Sequence, residues 1–185
     1  MNVRDAIHGR RTVHAYTRDP IPEGAVERAI EAAIQAPNHR LTFPWRFVIV
    51  GPEARARLAD VAVELKTRPD APMAPEQAQR VRAKILDPAE LIVVSIVRHQ
   101  DPAIAREDYA SAACAIQNAM LTFHAEGVAT KWSTGKVMSD ARTYRALGID
   151  PAAEEIVAFL WAGVAATVPA KCERPALEQL LRRVG

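Results

Sequence analysis

The sequence predicts a layered fold, α/β or α+β, in which helices cover a central sheet. Residues 91–97 form a continuous apolar run, which is typical of a strand covered on both faces. Residues 106–126 place apolar side chains on one helical face, which predicts a long core helix. Further strand patterns are separated by helix patterns along the chain, without an internal repeat, and this order favours a layered domain.

The first half of the chain predicts helices on either side of a strand. Prolines start the second and third helices, and another proline, Pro37, stops the second. Three prolines within residues 67–75 predict a surface loop. The predicted elements are a short helix before Arg10, a helix from about Pro22 to Ile34, a strand at 45–50, a helix from Pro52 to about Lys66, and a short helix ending at Leu86.

The second half predicts the centre of the sheet and the long core helix. The strand at 91–97 should lie in the middle of the sheet, and Gly127 should end the long helix as its C′ residue. The apolar face of that helix is predicted to contain Tyr109, Ala113, Ile116, Met120 and Phe123. The later elements are a strand at 128–133, a helix capped by Ser139 that runs to Leu147, a strand at 156–161, and a basic loop with an amphipathic end over 169–185.

Length, charge and cysteine content limit the class of protein. A chain of 185 residues with 49% hydrophobic residues predicts one domain over residues 1–185. The net charge is +2 with both signs interspersed, so we expect neither a nucleic-acid nor a membrane partner. Cys114 and Cys172 lie far apart and outside any CxxC spacing, so the sequence suggests neither a zinc ribbon nor a disulfide scaffold. With no signal peptide or spanning segment in this sequence, we expect a cytoplasmic protein.

Two N-terminal segments contain the most informative side chains. Arg10, Arg11 and Thr12 supply two guanidinium groups and a hydroxyl within three residues, which suits a phosphate dianion. The plainer interpretation is a pair of surface arginines that complement a helix C-terminus. Residues 35–47 add an amide, the imidazole of His39 and aromatic faces suited to a flat polar ring. Here the alternatives are a core tryptophan at Trp45 and an ordinary surface histidine.

Two later segments offer weaker signals. Residues 127–135 carry hydroxyls and free amides beside glycines, which can donate hydrogen bonds to a ring, although a polar strand-to-helix turn has the same composition. Residues 169–178 contain Lys171 and Arg174, either of which can add charge to an anion site, although a basic tail is usually just solvated. Arg174 is the preferred candidate of the two.

Taken together, the four segments resemble the motifs of the nitroreductase family of FMN enzymes, in the form found in its short, minimal-length members. Residues 10–16 resemble the family's Arg-Arg-Ser-x-Arg-x-Phe motif, and residues 36–47 resemble its Ala-Pro-Asp-His…Pro-Trp-Arg-Phe form. The chain departs from the usual motifs at His14, where arginine is expected, and at Phe43, where glutamine is expected. The resemblance extends over nearly the whole chain.

This resemblance implies an α+β, nitroreductase-like fold with a central, mainly antiparallel sheet flanked by helices. It implies bound FMN, NAD(P)H as co-substrate, and a homodimer with FMN between the subunits. It also implies a small electron-poor acceptor such as a nitroaromatic or a quinone, and no side chain that is an obligatory catalytic acid or base. The implied cofactor contacts are Arg10, Arg11, Thr12 and Arg174 for the phosphate and ribityl chain, Gln35 and His39 near the ring or ribityl chain, and Trp132, Ser133 and Thr134 along the ring.

Other functions are less well supported by the sequence. A non-catalytic flavin-binding or interaction protein with the same fold stays open, as does a different flavin reaction such as enone or halide reduction. The sequence lacks GxGxxG, GxxxxGK[ST] and GxSxG, which argues against a Rossmann fingerprint, a P-loop and a nucleophile elbow. His124-Ala125-Glu126 has the HxE pattern of zinc deaminases, but the accompanying Pro-Cys-x-x-Cys is absent.

Overall fold

The computed structural model describes residues 1–68 and 70–185, which form helices around one sheet. The helices are α1 (Val3–Gly9), α2 (Ala25–Ala33), α3 (Pro52–Glu64), α4 (Pro75–Leu86), α5 (Pro102–Ala125), α6 (Lys136–Ser139), α7 (Ala141–Leu147) and α8 (Leu177–Leu180). The strands are β1 (Trp45–Ile49), β2 (Glu90–Val97), β3 (Ala129–Ser133) and β4 (Glu154–Gly163). Among the helices of these described residues, none is long and apolar enough to cross a membrane.

The sheet has the order β1-β2-β4-β3, and each neighbouring pair is antiparallel. This decides between the two layered classes in favour of α+β. The strand predicted at 91–97 lies inside the sheet as β2, and its residues from Leu91 to Ile96 are all buried. The prediction of a central strand covered on both faces is therefore confirmed.

The core has two layers, one on each face of the sheet. Side chains of a strand alternate between faces, so Ile92 and Leu160 pack towards α2 and α5, while Leu91 and Trp161 pack towards α3 and α4. Trp45 is buried in the first layer, as its core interpretation predicted. The two faces of the sheet therefore lie against different helices, and this alternation decides where the residues of β3 point.

The segment after α1 lies along the outer edge of β3. Thr12 forms a parallel bridge with Thr130, and the amide nitrogen of Val13 donates to the carbonyl oxygen of Thr130 over 3.1 Å. Further on, Tyr16 forms an antiparallel bridge with Ala165, just beyond the end of β4. These contacts hold the Arg-Arg-Thr motif at the rim of the sheet.

The long helix α5 differs from its prediction at its N-terminal end. It begins at Pro102 rather than at residue 106, because Asp101 caps it by accepting a hydrogen bond from the amide of Ala103 over 2.8 Å. Gly127, with φ of 79°, follows its end as predicted. The prediction that Tyr109 lies on the buried apolar face is wrong, because this residue is 47% exposed. The buried face contains Asp108, Ser111, Ala112, Ala115, Ile116, Ala119, Met120 and Phe123.

Two loop predictions are modified by the structure. Ser139 does not cap the helix before Leu147, because it ends α6, and Asp140 caps α7 by accepting from the amide of Arg142 over 2.9 Å. The proline-rich segment 67–75 ends where Pro75 begins α4, which matches the preference of proline for the first helical turn. The part of that predicted loop at Pro69 lies outside the described residues.

Arg55 fixes the end of α4 from the neighbouring helix α3. Its guanidinium is buried and donates to the carbonyl oxygens of Ile85 at 2.8 Å and Ala89 at 3.0 Å, and also to that of Pro88. The last turn of a helix leaves carbonyl oxygens without helical partners, so this side chain satisfies groups that the fold would otherwise bury unpaired. It is a structural residue, and it sets the position of the loop that leads into β2.

Candidate functional site

The first candidate site begins with Arg10 at the C-terminal end of α1. This helix is positioned by Asn2, which accepts from the amide of Asp5 over 2.9 Å, and by the amide of Arg10, which donates to Ala6. The Arg10 side chain is half-buried, and its Nη1 is fully buried without a hydrogen-bond partner in the described part of the chain. Burial lowers the pKa of Arg10, and the nearby charges of Arg11 and Arg174 lower it further.

Arg11 has a different role in the same place. Its Nη1 donates to the carbonyl oxygens of His8 at 2.7 Å, Gly9 at 2.8 Å and Arg10 at 3.0 Å. These are the free carbonyls at the end of α1, where a cation also complements the helix dipole. The interpretation of the arginine pair as a complement to a helix C-terminus is therefore correct for Nη1 of Arg11. The Arg11 side chain also lines the cavity described next.

A cavity of about 540 Å³ brings the predicted phosphate residues together. Arg10, Arg11 and Thr12 line it from the end of α1, and Lys171 and Arg174 line it from the C-terminal segment. None of the described residues in its wall carries a carboxylate. Four cationic side chains without a matching acid make this cavity suited to an anion.

The wall of this cavity, here called the phosphate cavity, includes residues that the sequence analysis did not select. Gln117 reaches it from α5, and His8 reaches it from α1. Gln117 was missed because a polar residue on a long helix has no local signature, and only the packing of α1 against α5 brings it near the arginines. His8 belongs to the helix before the motif and was treated only as part of the N-terminus.

His124 lies beside the arginine pair on the inner side. A Cβ atom on Gly9 would stand 2.7 Å from Nε2 of His124, so a side chain at this position would displace the imidazole ring. Burial lowers the pKa of His124, and the charges of Arg10 and Arg11 lower it further. The lowered pKa favours the neutral imidazole, which adds no positive charge to the arginine pair. Because Gly9 has no side chain, α1 can lie close to α5 at this point.

A second cavity, of about 290 Å³, lies between the sheet and the pair α3 and α4. Ser133 and Thr134, two of the predicted ring contacts, line its wall. Trp132 points to the other face of the sheet, where it packs against the layer of α2 and α5. Neighbouring residues of a strand point to opposite faces, so the structure separates Trp132 from Ser133. We call this second space the lysine cavity, because Lys66, Lys84, Lys131 and Lys136 line it.

The strand β3 sets the distance between the two cavities. Thr130 is bridged to Thr12 at the phosphate cavity, and Thr134 lines the lysine cavity. Four residues of extended chain at about 3.3 Å each separate these two points by roughly 13 Å. An elongated ligand that lies along the rim of the sheet can therefore contact both ends.

Gln35 and His39 are not brought to either cavity in this chain. Both are exposed, and Nδ1 of His39 lies 3.2 Å from Oε2 of Glu107 on the N-terminal half of α5. The loop that contains His39 is held by Asn38, whose Oδ1 accepts from the amide of Phe43 over 2.8 Å. Within a single chain, these two predicted contacts lie on a different surface from the remaining site residues.

This loop has an unusual backbone. Leu41 has φ of 52° and Phe43 has φ of 45°, a left-handed conformation that residues with side chains rarely adopt. Both side chains are more than half exposed, at 69% and 53%. The hydroxyl of Thr42, between these two residues, donates to Oδ1 of the buried Asp108 over 2.5 Å and so anchors the loop to α5. Local strain at an exposed apolar loop is a common property of functional segments.

Comparison with known proteins assigns the chain to a family. A family model described as "Nitroreductase family" matches residues 7–164. The chain belongs to the nitroreductase family. The resemblance predicted from the four motifs is thereby confirmed, and the match includes both N-terminal motifs and β3. It ends before the C-terminal segment that contains Arg174.

Individual members of the nitroreductase family match this chain over most of its length. YfhC of Bacillus subtilis, provisionally named an NAD(P)H nitroreductase, is 29% identical over 150 residues, which cover 80% of this chain and 76% of YfhC. A structure from Desulfovibrio desulfuricans, provisionally described as a nitroreductase in complex with FMN, is 26% identical with a TM-score of 0.77, covering 100% of this chain and 98% of that one. A nitroreductase-like family protein from Bacillus cereus has a TM-score of 0.86 at 21% identity, covering 100% and 96%. The nitroreductase-like α+β fold is thus confirmed.

Proposed function

We propose that the protein is an FMN-dependent oxidoreductase that uses NAD(P)H to reduce a nitroaromatic, a quinone or a related electron-poor acceptor. The observation that carries this proposal is the buried Nη1 of Arg10, which has no hydrogen-bond partner in the described chain. A buried donor on a charged group is costly unless a ligand satisfies it. The phosphate of FMN is an anion that fits this requirement.

The phosphate cavity supplies the remaining contacts for that anion. Arg10, Arg11 and Arg174 provide planar guanidinium donors, and Thr12 provides a hydroxyl. Lys171 adds a fourth charge to the same wall. The lowered pKa of Arg10 has its cause in burial and in the charges of Arg11 and Arg174, and a bound dianion would offset the repulsion among them.

The ring end is assigned to the far end of β3. Thr134, just beyond the end of β3, lies roughly 13 Å along the chain from Thr130 at the phosphate cavity, and Ser133 lies slightly nearer, which allows a ligand with a long polyol linker to reach both ends. Their hydroxyls can donate to heteroatoms of a flat polar ring. When bound, FMN supplies the hydride and electron transfer chemistry, and the side chains bind, orient and leave one ring face open. We assign no obligatory acid or base among the side chains.

Relatives support the same cofactor and co-substrate. The Desulfovibrio desulfuricans protein, 26% identical to this chain, is described in complex with FMN. YfhC is named as acting with NAD(P)H. The proposal transfers FMN to this chain because the charged residues of the phosphate cavity fit an FMN phosphate. It transfers NAD(P)H from the names of the relatives.

A homodimer completes the proposal. Gln35 and His39 face away from both cavities of their own chain, whereas the family resemblance implies that the flavin lies between two subunits. The exposed loop with Leu41 and Phe43 offers apolar side chains to a second copy, next to the N-terminal half of α5. We infer that His39 contributes to the partner's cofactor site, in a protein with one domain per chain that works in the cytoplasm.

The decisive experiment compares FMN with riboflavin, which lacks the phosphate. Fluorescence titration of the apo protein should show FMN binding at least tenfold more tightly than riboflavin, because charged hydrogen bonds contribute about 1.5–3 kcal/mol each. Arg10→Met should remove most of this preference. Arg57→Met is the matched control, since Arg57 lies on the surface of α3, where its Nη2 is 3.7 Å from Oε2 of Glu53.

Two outcomes would contradict the proposal. Equal affinity for FMN and riboflavin would show that the arginines do not hold the phosphate. FMN binding without any NADPH oxidation in the presence of a quinone or nitroaromatic acceptor would favour the alternative function, a non-catalytic flavin-binding protein. Size-exclusion chromatography with light scattering tests the dimer, and a monomer with stoichiometric FMN would overturn it.

A further inference from the structure

The arginine pair stands between two cavities. Arg10 and Arg11 line the phosphate cavity, and they also line another cavity of about 310 Å³, here called the inner cavity. Val13, Val128 and Thr130 in the wall of the inner cavity are buried, so this space lies on the core side of the arginines. A charge in one cavity therefore acts, through the same two guanidinium groups, on a titratable group in the other.

His124 brings such a titratable group to the inner cavity from the last turn of α5. A Cβ atom on Gly9 would lie 2.7 Å from Nε2 and 3.6 Å from Cε1 of His124, so the ring packs directly on the end of α1. The next two residues after Gly9 are the arginine pair. The ring is partly exposed, and a proton can therefore reach it from solvent.

The imidazole of His124 is free to bind this proton. Within the described chain, the histidine rings that form hydrogen bonds are those of His39 and His99. The carboxylate next to it in sequence, on Glu126, is held by Arg28 at 2.7 Å. Among the described residues, no carboxylate lies within 4 Å of a nitrogen of His124. No acid of the protein therefore decides the charge of this ring.

The charges that face His124 are all positive. Arg10 and Arg11 face it from the end of α1, and Met1, which carries the charged amino group, lines the same cavity. The remaining walls are uncharged and consist of Val128, Ala129 and Thr130 from β3 and of Ala165 and Val168 from the segment after β4. Burial lowers the pKa of His124, and the charges of Arg10 and Arg11 lower it further. The neutral ring is thus favoured while the phosphate cavity is empty.

An anion in the phosphate cavity reverses this preference. A phosphate dianion beside Arg10 and Arg11 offsets the positive field that they exert on His124. The pKa of His124 then rises, so the ring takes up a proton at any pH between its value in the empty protein and its value in the complex. By linkage, an event that takes up a proton becomes more favourable as the pH falls through this range.

We propose that His124 takes up a proton from solvent when a phosphate dianion binds in the phosphate cavity, and that FMN affinity therefore increases as the solution becomes more acidic. His124 acts through the arginine pair and does not touch the ligand. The part that concerns FMN rests on the proposed function, whereas the coupling to phosphate itself depends only on Arg10, Arg11 and His124.

The phosphate of FMN titrates in the same range with the opposite sign. Its second pKa is about 6, and the arginines favour the dianion, so this group releases protons on binding under mildly acidic conditions. His124→Gln separates the two effects, because it removes the imidazole and leaves both arginines in place. His8 lines the phosphate cavity itself and is the competing candidate, which His8→Gln tests. His99→Gln is the distant control, since the His99 ring accepts from the amide of Asp101 before α5.

The first experiment measures protons directly. Isothermal titration calorimetry of FMN in two buffers with different ionisation enthalpies gives the proton uptake at about pH 6.5, near the ordinary value of histidine, and at about pH 8. At the lower pH, the parent protein should take up about 0.3–0.5 proton more than His124→Gln, and the ratio of their FMN affinities should rise about threefold from the higher pH to the lower. His99→Gln should behave as the parent, and His8→Gln should keep the extra uptake. Riboflavin, without a phosphate, should show no difference between the parent and His124→Gln.

The second experiment does not require FMN. Nuclear magnetic resonance of the labelled histidine rings follows the titration of His124 in the apo protein with and without inorganic phosphate, and the five histidines are assigned from the variants. Phosphate should move the titration midpoint of His124 to higher pH and leave that of His99 in place.

The results distinguish this inference from the proposed function. Equal proton uptake in the parent and in His124→Gln, or a loss of the extra uptake in His8→Gln alone, overturns the coupling even if FMN binds. His124→Asn replaces the first variant if circular dichroism shows that it is unfolded. If FMN does not bind at either pH, the proposed function fails, and the phosphate titration decides: a higher midpoint of His124 supports the coupling, and an unchanged midpoint overturns it.

Discussion

The amide of Val13 donates to the carbonyl oxygen of Thr130 over 3.1 Å, and this hydrogen bond helps to hold the arginine motif on the sheet. Thr130 is buried at 1% exposure, so its backbone position is fixed by the core. This hydrogen bond therefore also fixes the backbone on either side of Val13, which places Thr12 at the phosphate cavity and leaves His14 exposed. The geometry of the proposed cofactor site thus depends on how firmly this segment lies on the rim of the sheet.

Gly163 is a sensitive point of that attachment. A Cβ atom there would stand 2.9 Å from Cδ1 of Tyr16 and 3.1 Å from the amide nitrogen of Ala89. Gly163→Ala should therefore displace Tyr16 and destabilise the protein by about 1–3 kcal/mol, the usual cost of overpacking. Urea denaturation measures the change. Gly51→Ala is the matched control, because nothing lies within 4 Å of its Cβ position, and equal stability of the two variants would contradict the prediction.

Substitutions of Arg10 and Arg11 should have different effects on the stability of the apo protein, although both should weaken FMN binding. Arg10 contributes a half-buried charge that is repelled by its neighbours, so Arg10→Met should raise the melting temperature of the apo protein while it lowers FMN affinity about tenfold or more. Arg11 satisfies three carbonyl oxygens at the end of α1, so Arg11→Met should lower both the melting temperature and FMN affinity. Thermal melts with and without FMN measure both effects.

The opposite order would refute this assignment of roles. If Arg10→Met destabilises the apo protein more than Arg11→Met, the buried guanidinium has a partner that the structure does not show. The control is Arg57→Met, which removes an exposed charge of α3 and should leave both the melting temperature and FMN affinity unchanged.

Local patterns were sufficient to predict most of the fold. The apolar run of β2, the proline at the start of α3, and Gly127 after α5 each act within a few residues, so the sequence alone marks them. The errors occurred where two local signals compete. Asp140 and Ser139 are neighbouring cap candidates of similar strength, and Asp140 caps α7 because Ser139 is the last residue of α6. Asp101 starts α5 four residues earlier than the apolar face indicates.

The candidate site was only partly predictable, because its members come from distant segments. Arg10, Arg11, Thr12 and Arg174 do line one cavity. Trp132 and Ser133 were predicted together, but strand alternation sends them to opposite faces. The lysine cavity has no sequence signature at all, because its lysines lie on four elements that meet only through the packing of α3 and α4 on the sheet.

Arg55 should be among the residues on which stability depends most. It is buried and donates to the carbonyl oxygens of Ile85 and Ala89, and also to that of Pro88. Arg55→Met keeps the length of the side chain and removes every donor, so several buried carbonyls lose their partners. We expect a loss of about 2–4 kcal/mol in the free energy of unfolding. Urea denaturation of Arg55→Met and Arg57→Met gives a matched comparison, and a loss below about 0.5 kcal/mol in the former would contradict this role.

Asp140 should make stability depend on pH in the acid range. Side-chain and backbone hydrogen bonds from Arg142 lower the pKa of Asp140 to about 2, below the value of about 3.9 expected in the unfolded chain. A carboxyl with a lowered pKa in the folded state stabilises the fold above the unfolded value, and this contribution disappears as the pH falls from about 4 to 2. Because the pair is close to solvent, the contribution should be at most about 1 kcal/mol.

Asp140→Asn tests this relationship, because asparagine keeps a cap for α7 and removes the charge. The difference in unfolding free energy between the parent and Asp140→Asn should be constant above pH 5 and approach zero towards pH 2. Ser139→Ala is the control, since the Ser139 hydroxyl only donates to the carbonyl of Lys136 over 3.2 Å on the surface. A difference that stays constant down to pH 2 would show that the ion pair with Arg142 does not stabilise the fold. A large loss of stability in Ser139→Ala would show that Ser139, the residue predicted from the sequence, is the cap of α7.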